Sequence, residues 1–126
     1  MKAKILYVED NEQNAYLVRF ILNARGHEVV WAKDGQAGLE ATVHDRYDLI
    51  LLDIQLPVMD GYTVARALRA RPALQPTPIV ALTSYAMPGD RERALAAGVD
   101  GYIEKPIDPT TFASQVEEHL APARAS

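Results

Sequence analysis

Short runs of consecutive apolar residues alternate along the chain with longer segments in which apolar residues recur every three or four positions. Five of the short runs have strand length, at residues 5–8, 28–32, 49–52, 79–82 and 102–103. Helical spacing follows each run and predicts helices over about 11–25, 36–44, 61–70, 91–97 and 109–120. Such an alternation predicts an α/β fold, with a parallel sheet covered by helices on both faces.

The third run is the most apolar stretch of the chain, because all four of its residues (49–52) are Leu or Ile. A strand that is apolar at every position is covered on both faces, so we expect it at the centre of the sheet. The expected strand order is 2-1-3-4-5, which is typical of doubly wound, flavodoxin-like sheets. Ligands of such sheets bind beyond the carboxyl ends of the strands, here between the first and third strands.

Polar side chains follow four of the five predicted strands. Glu9-Asp10 follows the first, Asp53 the third, Thr83-Ser84 the fourth and Lys105 the fifth. Two carboxylates about 4 Å apart repel by roughly 1–4 kcal/mol, so such a cluster holds a proton or binds a cation. The donors are all oxygen atoms, which suits Mg²⁺ better than zinc. Because Mg²⁺ completes its coordination with water and phosphate, these strand ends predict a site for a phosphoryl group.

Composition limits the remaining possibilities. The chain has 126 residues, which suits one domain, with a core over about 4–120 and a tail at 121–126. It has no cysteine, so disulfides and Cys-ligated zinc are excluded. A net charge of −4 argues against a nucleic-acid surface. No apolar run approaches the length of a signal or membrane-spanning segment, so we expect a cytoplasmic protein with no membrane partner.

Each polar residue taken alone has an ordinary explanation. Acids after a strand often form turns or helix caps, Thr83 could be a strand-end hydroxyl, and Lys105 could be solvated. The three histidines, His27, His44 and His119, have no second ligand at metal spacing and favour surface or capping roles. The arginines at 66, 69 and 71 favour a solvated helix face. The functional prediction therefore depends on the convergence of the strand-end residues at one edge.

In these strand-end segments the chain resembles the response-regulator receiver domain, the phosphoacceptor part of bacterial two-component signalling. The resemblance covers about residues 4–120 and is carried by four segments: 5–11 (ILYVEDN), 51–61 (LLDIQLPVMDG), 80–84 (VALTS) and 102–106 (YIEKP). Residues 8–11 and 86–90 also resemble single-domain receivers of bacterial cell-division relays and receivers of hybrid kinases.

The resemblance implies that Asp53 accepts a phosphoryl group from a histidine kinase or a histidine phosphotransfer protein. An Asp carboxylate can form an aspartyl-phosphate directly. The implied cofactor is Mg²⁺, held by Asp10, Asp53 and the backbone carbonyl of Gln55, with Glu9 acting through water. Autodephosphorylation would follow, but the protein would be a signalling module and not a metabolic enzyme.

The resemblance also implies roles at the ends of the fourth and fifth strands. Lys105 would pair with the phosphoryl oxygens, and Thr83 would move towards them and form a hydrogen bond. Tyr102 would swing inward in step and change the face formed by helix 4, strand 5 and helix 5, where a downstream protein target would bind. A cis peptide bond is implied at Lys105-Pro106.

Three departures from the family pattern bear on these expectations. Glu9 stands where Asp is commoner, Ser84 where Ala is commoner, and Gln55 and Tyr85 occupy positions that usually tune the lifetime of the acyl phosphate. Two other functions are weighed against a stand-alone, phosphorylated receiver. One is a pseudo-receiver, which typically loses Asp53, the acid pair or Lys105. The other is a small phosphohydrolase of haloacid-dehalogenase type, which would have a second Asp where this chain has Gln55.

Overall fold

The structure is a computed structural model that describes residues 2–84 and 88–120. Five parallel strands form one sheet in the order β2-β1-β3-β4-β5, which confirms the predicted fold class. The strands are β1 (Lys4–Val8), β2 (Glu28–Ala32), β3 (Leu49–Asp53), β4 (Ile79–Thr83) and β5 (Gly101–Glu104). The predicted tail at 121–126 and residues 85–87, which include Tyr85, lie outside the described residues.

In the described part of the chain, five α-helices connect or follow these strands: α1 (Glu12–Ala24), α2 (Gly35–His44), α3 (Gly61–Arg69), α4 (Asp90–Ala96) and α5 (Phe112–Glu118), with one 3₁₀ turn at Pro72–Leu74. The first three begin at side-chain caps. The cap residues Asn11, Asp34 and Asp60 each accept a hydrogen bond from the backbone N–H three residues later, at 2.8–2.9 Å. Such caps satisfy N–H groups that have no partner within the helix.

Helix α5 begins three residues later than the sequence pattern predicts. Asp108 Oδ1 accepts hydrogen bonds from the backbone N–H of Thr110 at 2.9 Å and from its hydroxyl at 2.7 Å. These side-chain bonds hold the backbone in a turn, because Asp and Thr offer it an alternative to the helical pattern. The helix therefore starts at Phe112 and not at Pro109.

The core has two layers, one on each face of the sheet. The residues of β3 alternate between them: Ile50 and Leu52 pack with α2, α3 and α4, whereas Leu49 and Leu51 pack with α1 and α5. Every residue of β3 and β4 is buried. This is the two-sided burial that an uninterrupted apolar strand predicts.

The surface prediction for His27 was wrong. Its side chain is fully buried, and its Nδ1 accepts a hydrogen bond from the backbone N–H of Ala3 at 3.1 Å. Its Nε2 lies 2.8 Å from Oε2 of Glu117 on α5. A histidine at the start of a strand can bury its ring when both nitrogens find partners, and here the partners come from distant parts of the chain.

The prediction of a solvated arginine face was wrong for Arg71, which donates to the Leu39 carbonyl at 2.9 Å and the Thr42 hydroxyl at 2.5 Å on α2. It was also wrong for Arg69. Its guanidinium donates to the backbone carbonyls of Gly98 at 2.8 Å and Leu74 at 2.7 Å, and to the Asp100 carboxylate at 2.5 Å. It thereby joins the end of α3 to the 3₁₀ turn and to the turn before β5. Carbonyls at helix ends need donors, and the planar guanidinium supplies several at once.

Over the described residues, no helix combines the length and the apolar character needed to cross a membrane.

Candidate functional site

The carboxyl ends of the strands bring the predicted site residues to one edge of the sheet. Asp53 and Thr83 are the last residues of β3 and β4, while Glu9 and Lys105 directly follow β1 and β5. The parallel register aligns these ends, with Val8 opposite Leu52, Asp53 opposite Leu82, and Thr83 opposite Glu104. Residues far apart in the sequence are therefore placed together by the strand order alone.

Three carboxylates meet at this edge. Glu9, Asp10 and Asp53 each offer an oxygen atom, and these atoms all lie within 4.8 Å of one another. Glu9 and Asp53 are only 1% and 2% exposed, whereas Asp10 is exposed to solvent. The group is therefore anchored in the protein on one side and open to a ligand on the other.

Lys105 supplies the positive charge at this edge. Its Nζ lies 3.2 Å from Oε1 of Glu9 and 3.2 Å from Oδ2 of Asp53. The peptide bond from Lys105 to Pro106 is cis, as the family resemblance implies. One ammonium among three carboxylates leaves a formal charge of −3 + 1 = −2 when all groups are ionised.

Glu9 is held by groups that the sequence analysis did not assign to the site. The Tyr7 hydroxyl donates to its Oε1 at 2.7 Å, the Asn11 N–H donates to its Oε2 at 3.2 Å, and the Trp31 indole N–H donates to its backbone carbonyl at 2.7 Å. Tyr7 could have been found from the strand period, because residues two apart point to the same side.

Burial raises the pKa of Glu9 above its ordinary value, and a hydrogen bond and charge repulsion from Asp53 act in the same direction. The hydrogen bond from Tyr7 and the charge of Lys105 offset part of that rise. Burial and the neighbouring Glu9 also raise the pKa of the Tyr7 hydroxyl. Tyr7 is therefore a hydrogen-bond donor to the cluster and does not add to its negative charge.

Asp53 is fixed by the loop between β3 and α3. The backbone N–H of Gln55 donates to Asp53 Oδ1 at 3.0 Å. Gly61, the first residue of α3, packs directly behind it, since a Cβ at this position would lie 2.6 Å from the Asp53 carbonyl oxygen. Any larger residue would displace α3 from the end of β3.

The side chain of Gln55 joins this loop to the end of β4. Its Nε2 donates to Thr83 Oγ1 at 2.6 Å, and its Oε1 accepts from the Ser84 N–H at 3.1 Å. Thr83 is only 2% exposed, and the half-buried Tyr102 lies opposite Ala81, two residues before Thr83, on the paired strand β5. Burial raises the pKa of Tyr102, and the neighbouring Thr83 hydroxyl offsets part of that rise. The family resemblance marks Gln55 as a position that tunes the acyl-phosphate lifetime, but no local pattern predicts its contact with the end of β4.

The residues present fit Mg²⁺. The donor set is all oxygen, its net charge of −2 balances a divalent cation, and it is partly open, as an ion that retains several waters requires. The histidines at 27, 44 and 119 are not among these residues. The backbone carbonyl of Gln55 as a further ligand, and the action of Glu9 through water, stay predictions.

Response regulators of other bacteria are similar to this chain in sequence and in structure. The chain is 37% identical over 123 residues to the polar-differentiation response regulator DivK of Brucella anthropi, covering 98% of this chain and 100% of the relative. The chemotaxis response regulator CheY4 of Vibrio cholerae has a TM-score of 0.90 at 32% identity, covering 95% of this chain and 100% of that chain.

A third similar structure is the receiver domain of a sensor histidine kinase from Pseudomonas aeruginosa, which has a magnesium ion coordinated in its active-site cleft. It has a TM-score of 0.86 at 36% identity and covers 95% of this chain and 98% of that chain. The family model of the response regulator receiver domain matches residues 5–117. The chain therefore belongs to the response regulator receiver domain family.

Proposed function

We propose that Asp53 accepts a phosphoryl group from a histidine kinase or a histidine phosphotransfer protein, in a reaction that requires Mg²⁺. The observation that carries this proposal is the position of Lys105 Nζ, 3.2 Å from both Glu9 and Asp53, beside the solvent-facing Asp10. A buried carboxylate between an ammonium and a cation site is suited to attack a phosphorus atom whose oxygens those charges hold.

In the proposed step, a carboxylate oxygen of Asp53 forms a bond to phosphorus as the bond from phosphorus to the donor imidazole nitrogen breaks. The electron pair of the broken bond stays on that nitrogen. The Gln55 N–H at 3.0 Å orients the carboxylate, and Lys105 pairs with the phosphoryl oxygens. When bound, Mg²⁺ supplies charge that stabilises the transferring group.

The proposed output is a change in the face formed by α4, β5 and α5, where a downstream protein target binds. The position of Tyr102 supports this proposal, because β5 pairs with β4 and places Tyr102 opposite Ala81, two residues before Thr83. On α4, Leu95 is 52% exposed and offers an apolar contact to a partner. A cytoplasmic location fits a donor of this kind and stays a prediction.

The alternatives receive less support. A pseudo-receiver would lack one of the reacting groups, but Asp53, both acids and Lys105 lie together. A phosphohydrolase would need an acid two residues after Asp53. That position holds Gln55, whose amide is bonded to Thr83 and Ser84. The family is one of signalling modules and not of metabolic enzymes.

Incubation with Mg²⁺ and acetyl phosphate tests the proposal by mass spectrometry. We expect the mass of one phosphoryl group on the wild type, located at Asp53 and absent when Mg²⁺ is chelated. Asp53→Asn should abolish the adduct. The matched variant Asp45→Asn, which removes an exposed acid paired with Lys4 outside the cluster, should retain it. An adduct that persists at the same level in Asp53→Asn would contradict the assignment.

A further inference from the structure

Gln55 commits both ends of its side-chain amide to the end of β4. The nitrogen donates to the Thr83 hydroxyl at 2.6 Å, and the oxygen accepts from the backbone N–H of Ser84 at 3.1 Å. Gln55 also contacts Asp53, through its backbone N–H at 3.0 Å. One residue thus bonds to the proposed phosphoryl acceptor and to the proposed switch residue.

The Thr83 hydroxyl can form only a few hydrogen bonds, which limits how it can bind a phosphoryl group. A hydroxyl has one proton and two lone pairs, so it can donate one hydrogen bond and accept two. The Gln55 amide fixes the position of Thr83 Oγ1 by donating to it at 2.6 Å. Phosphoryl oxygens only accept, so Thr83 has to turn its single proton towards them in the phosphorylated state.

We propose that Gln55 is a positioning residue that acts as a latch on Thr83, stabilising the resting arrangement and opposing the switch. This inference rests on the proposed function of Thr83. Gln55 does not act on the phosphoryl group itself in this role. It sets the free-energy difference between the two positions of Thr83, and so the fraction of protein in the active arrangement.

A purely structural role for Gln55 makes a different prediction. Since the amide also binds Ser84, it could serve only to hold the two loops together. Loss of that contact would lower stability without displacing Thr83 towards its active position. The position of Thr83 in the free protein, and not the stability of the fold, therefore distinguishes the proposed latch from a purely structural role of Gln55.

The test uses Gln55→Met, which keeps the length of the side chain and removes its amide. Gln55 is partly exposed, so the variant should fold, and a dispersed amide NMR spectrum verifies this. Beryllofluoride with Mg²⁺ serves as the phosphoryl mimic. In the free variant, we expect the Thr83 methyl signal to move along the line from the free wild type towards the mimic-saturated wild type. The affinity for the mimic should rise about 2- to 12-fold, as loss of a neutral hydrogen bond of about 0.5–1.5 kcal/mol implies.

Two comparisons make the result specific. Gln36→Met removes an exposed glutamine on α2 whose Nε2 bonds to Glu40, and it should leave the Thr83 signal and the mimic affinity unchanged. In a Thr83→Val background, Gln55→Met should no longer raise the affinity, because the latch acts through the hydroxyl. An unmoved Thr83 signal in free Gln55→Met, or an unchanged or lower mimic affinity, would overturn the proposal.

The failure of this inference can be told apart from the failure of the proposed function. If the wild type binds no mimic and forms no phosphoryl adduct, the proposed function is wrong. If the wild type does both and Gln55→Met leaves Thr83 in place, the function stands and only the latch is wrong.

Discussion

Val58 is the one non-glycine residue with a positive φ, +66°, among residues 2–84 and 88–120. It lies in the loop between Asp53 and α3, where the Met59 N–H bonds to the Pro57 carbonyl at 2.7 Å across a three-residue γ-turn. A β-branched residue is strained in this region, and the strain costs of order 1–3 kcal/mol. The Val58 side chain is fully exposed, so no packing offsets the strain.

We expect Val58→Gly to stabilise the protein by about 1 kcal/mol. Relief of the positive φ should outweigh the roughly 0.5–1 kcal/mol of chain entropy that glycine loses on folding. Thermal unfolding followed by circular dichroism should show a midpoint about 3–5 °C higher.

The control is Val43→Gly, because Val43 is also exposed but has helical geometry in α2. That substitution should destabilise the protein by a few tenths of a kcal/mol, as helix propensity dictates. If Val58→Gly loses as much stability as Val43→Gly, the positive φ of Val58 does not strain the folded protein.

Individual site residues differ in how well the sequence predicts them. Asp53, Thr83 and Lys105 were predictable because each follows an apolar strand, and parallel strands end at one edge. The contacts of the Gln55 amide were not predictable, since its partners lie 28 and 29 residues away at the end of β4. Side-chain bonds between loops depend on backbone geometry that hydrophobic periodicity does not encode.

At the scale of elements, strands and helices were predicted because burial imposes a period on the sequence. The apolar run in β3 predicted its central position, and both neighbours, β1 and β4, are paired with it. The start of α3 was predicted at residue 61, directly after the capping side chain of Asp60. The start of α5 was missed because Asp108 holds a turn that no hydrophobic position marks.

Helix α5 is attached to the rest of the fold through a partly buried ionic cluster. Glu117 accepts hydrogen bonds from Arg25, at the end of α1, and from His27, before β2. The bond donated by Ala3 N–H leaves no proton on His27 Nδ1, so the ring donates to Glu117 through Nε2. Burial alone would raise the pKa of Glu117, but the bonds from Arg25 and His27 hold it below its ordinary value.

We expect Glu117→Gln to cost about 1–2 kcal/mol at pH 7, because it removes a charged acceptor from Arg25. A carboxyl with a lowered pKa in the folded state stabilises the protein above its unfolded pKa, and this contribution is lost as pH falls through the folded value. The stability difference between wild type and variant should therefore narrow below about pH 4.5. Urea unfolding between pH 3 and pH 7 measures the free energy of unfolding of both proteins, and so this difference.

Glu118→Gln is the matched control, since Glu118 is the next residue on α5 and is exposed. Its effect should stay within about 0.5 kcal/mol, as for most surface substitutions. If the stability cost of Glu117→Gln does not decrease at acid pH, packing of the side chain, and not its charge, holds α5 in place.

Over the whole molecule, the fold places its least favourable charge arrangement at the end of its most buried strands. The −4 net charge is modest, but three carboxylates are gathered at one edge around Lys105. Like charges held this close destabilise the metal-free fold, and a bound cation reverses the effect. Global stability should therefore depend on the same residues that we propose for phosphoryl transfer.

Glu9→Gln tests this link between stability and function. Its amide can donate to Asp53 and still accept from Tyr7, so the substitution removes one negative charge and, besides that charge, the bond accepted from the Asn11 N–H. We expect the metal-free variant to be about 1 kcal/mol more stable than the wild type at pH 7. The stabilisation by Mg²⁺, about 2.7 kcal/mol at a concentration 100 times the dissociation constant, should require more Mg²⁺ in the variant than in the wild type.

Thermal unfolding across an Mg²⁺ titration measures both effects in one experiment. Glu12→Gln is the control, because Glu12 is an exposed acid in the first turn of α1 that is not part of the cluster. It should follow the wild-type curve closely. If Glu9→Gln lowers metal-free stability and leaves the Mg²⁺ dependence unchanged, the carboxylates do not act as one charged group. The expected result is that Glu9→Gln raises the stability of the metal-free protein and weakens the stabilisation by Mg²⁺. These two opposite shifts would show that the repulsion among the carboxylates is the cost of a site that binds a cation.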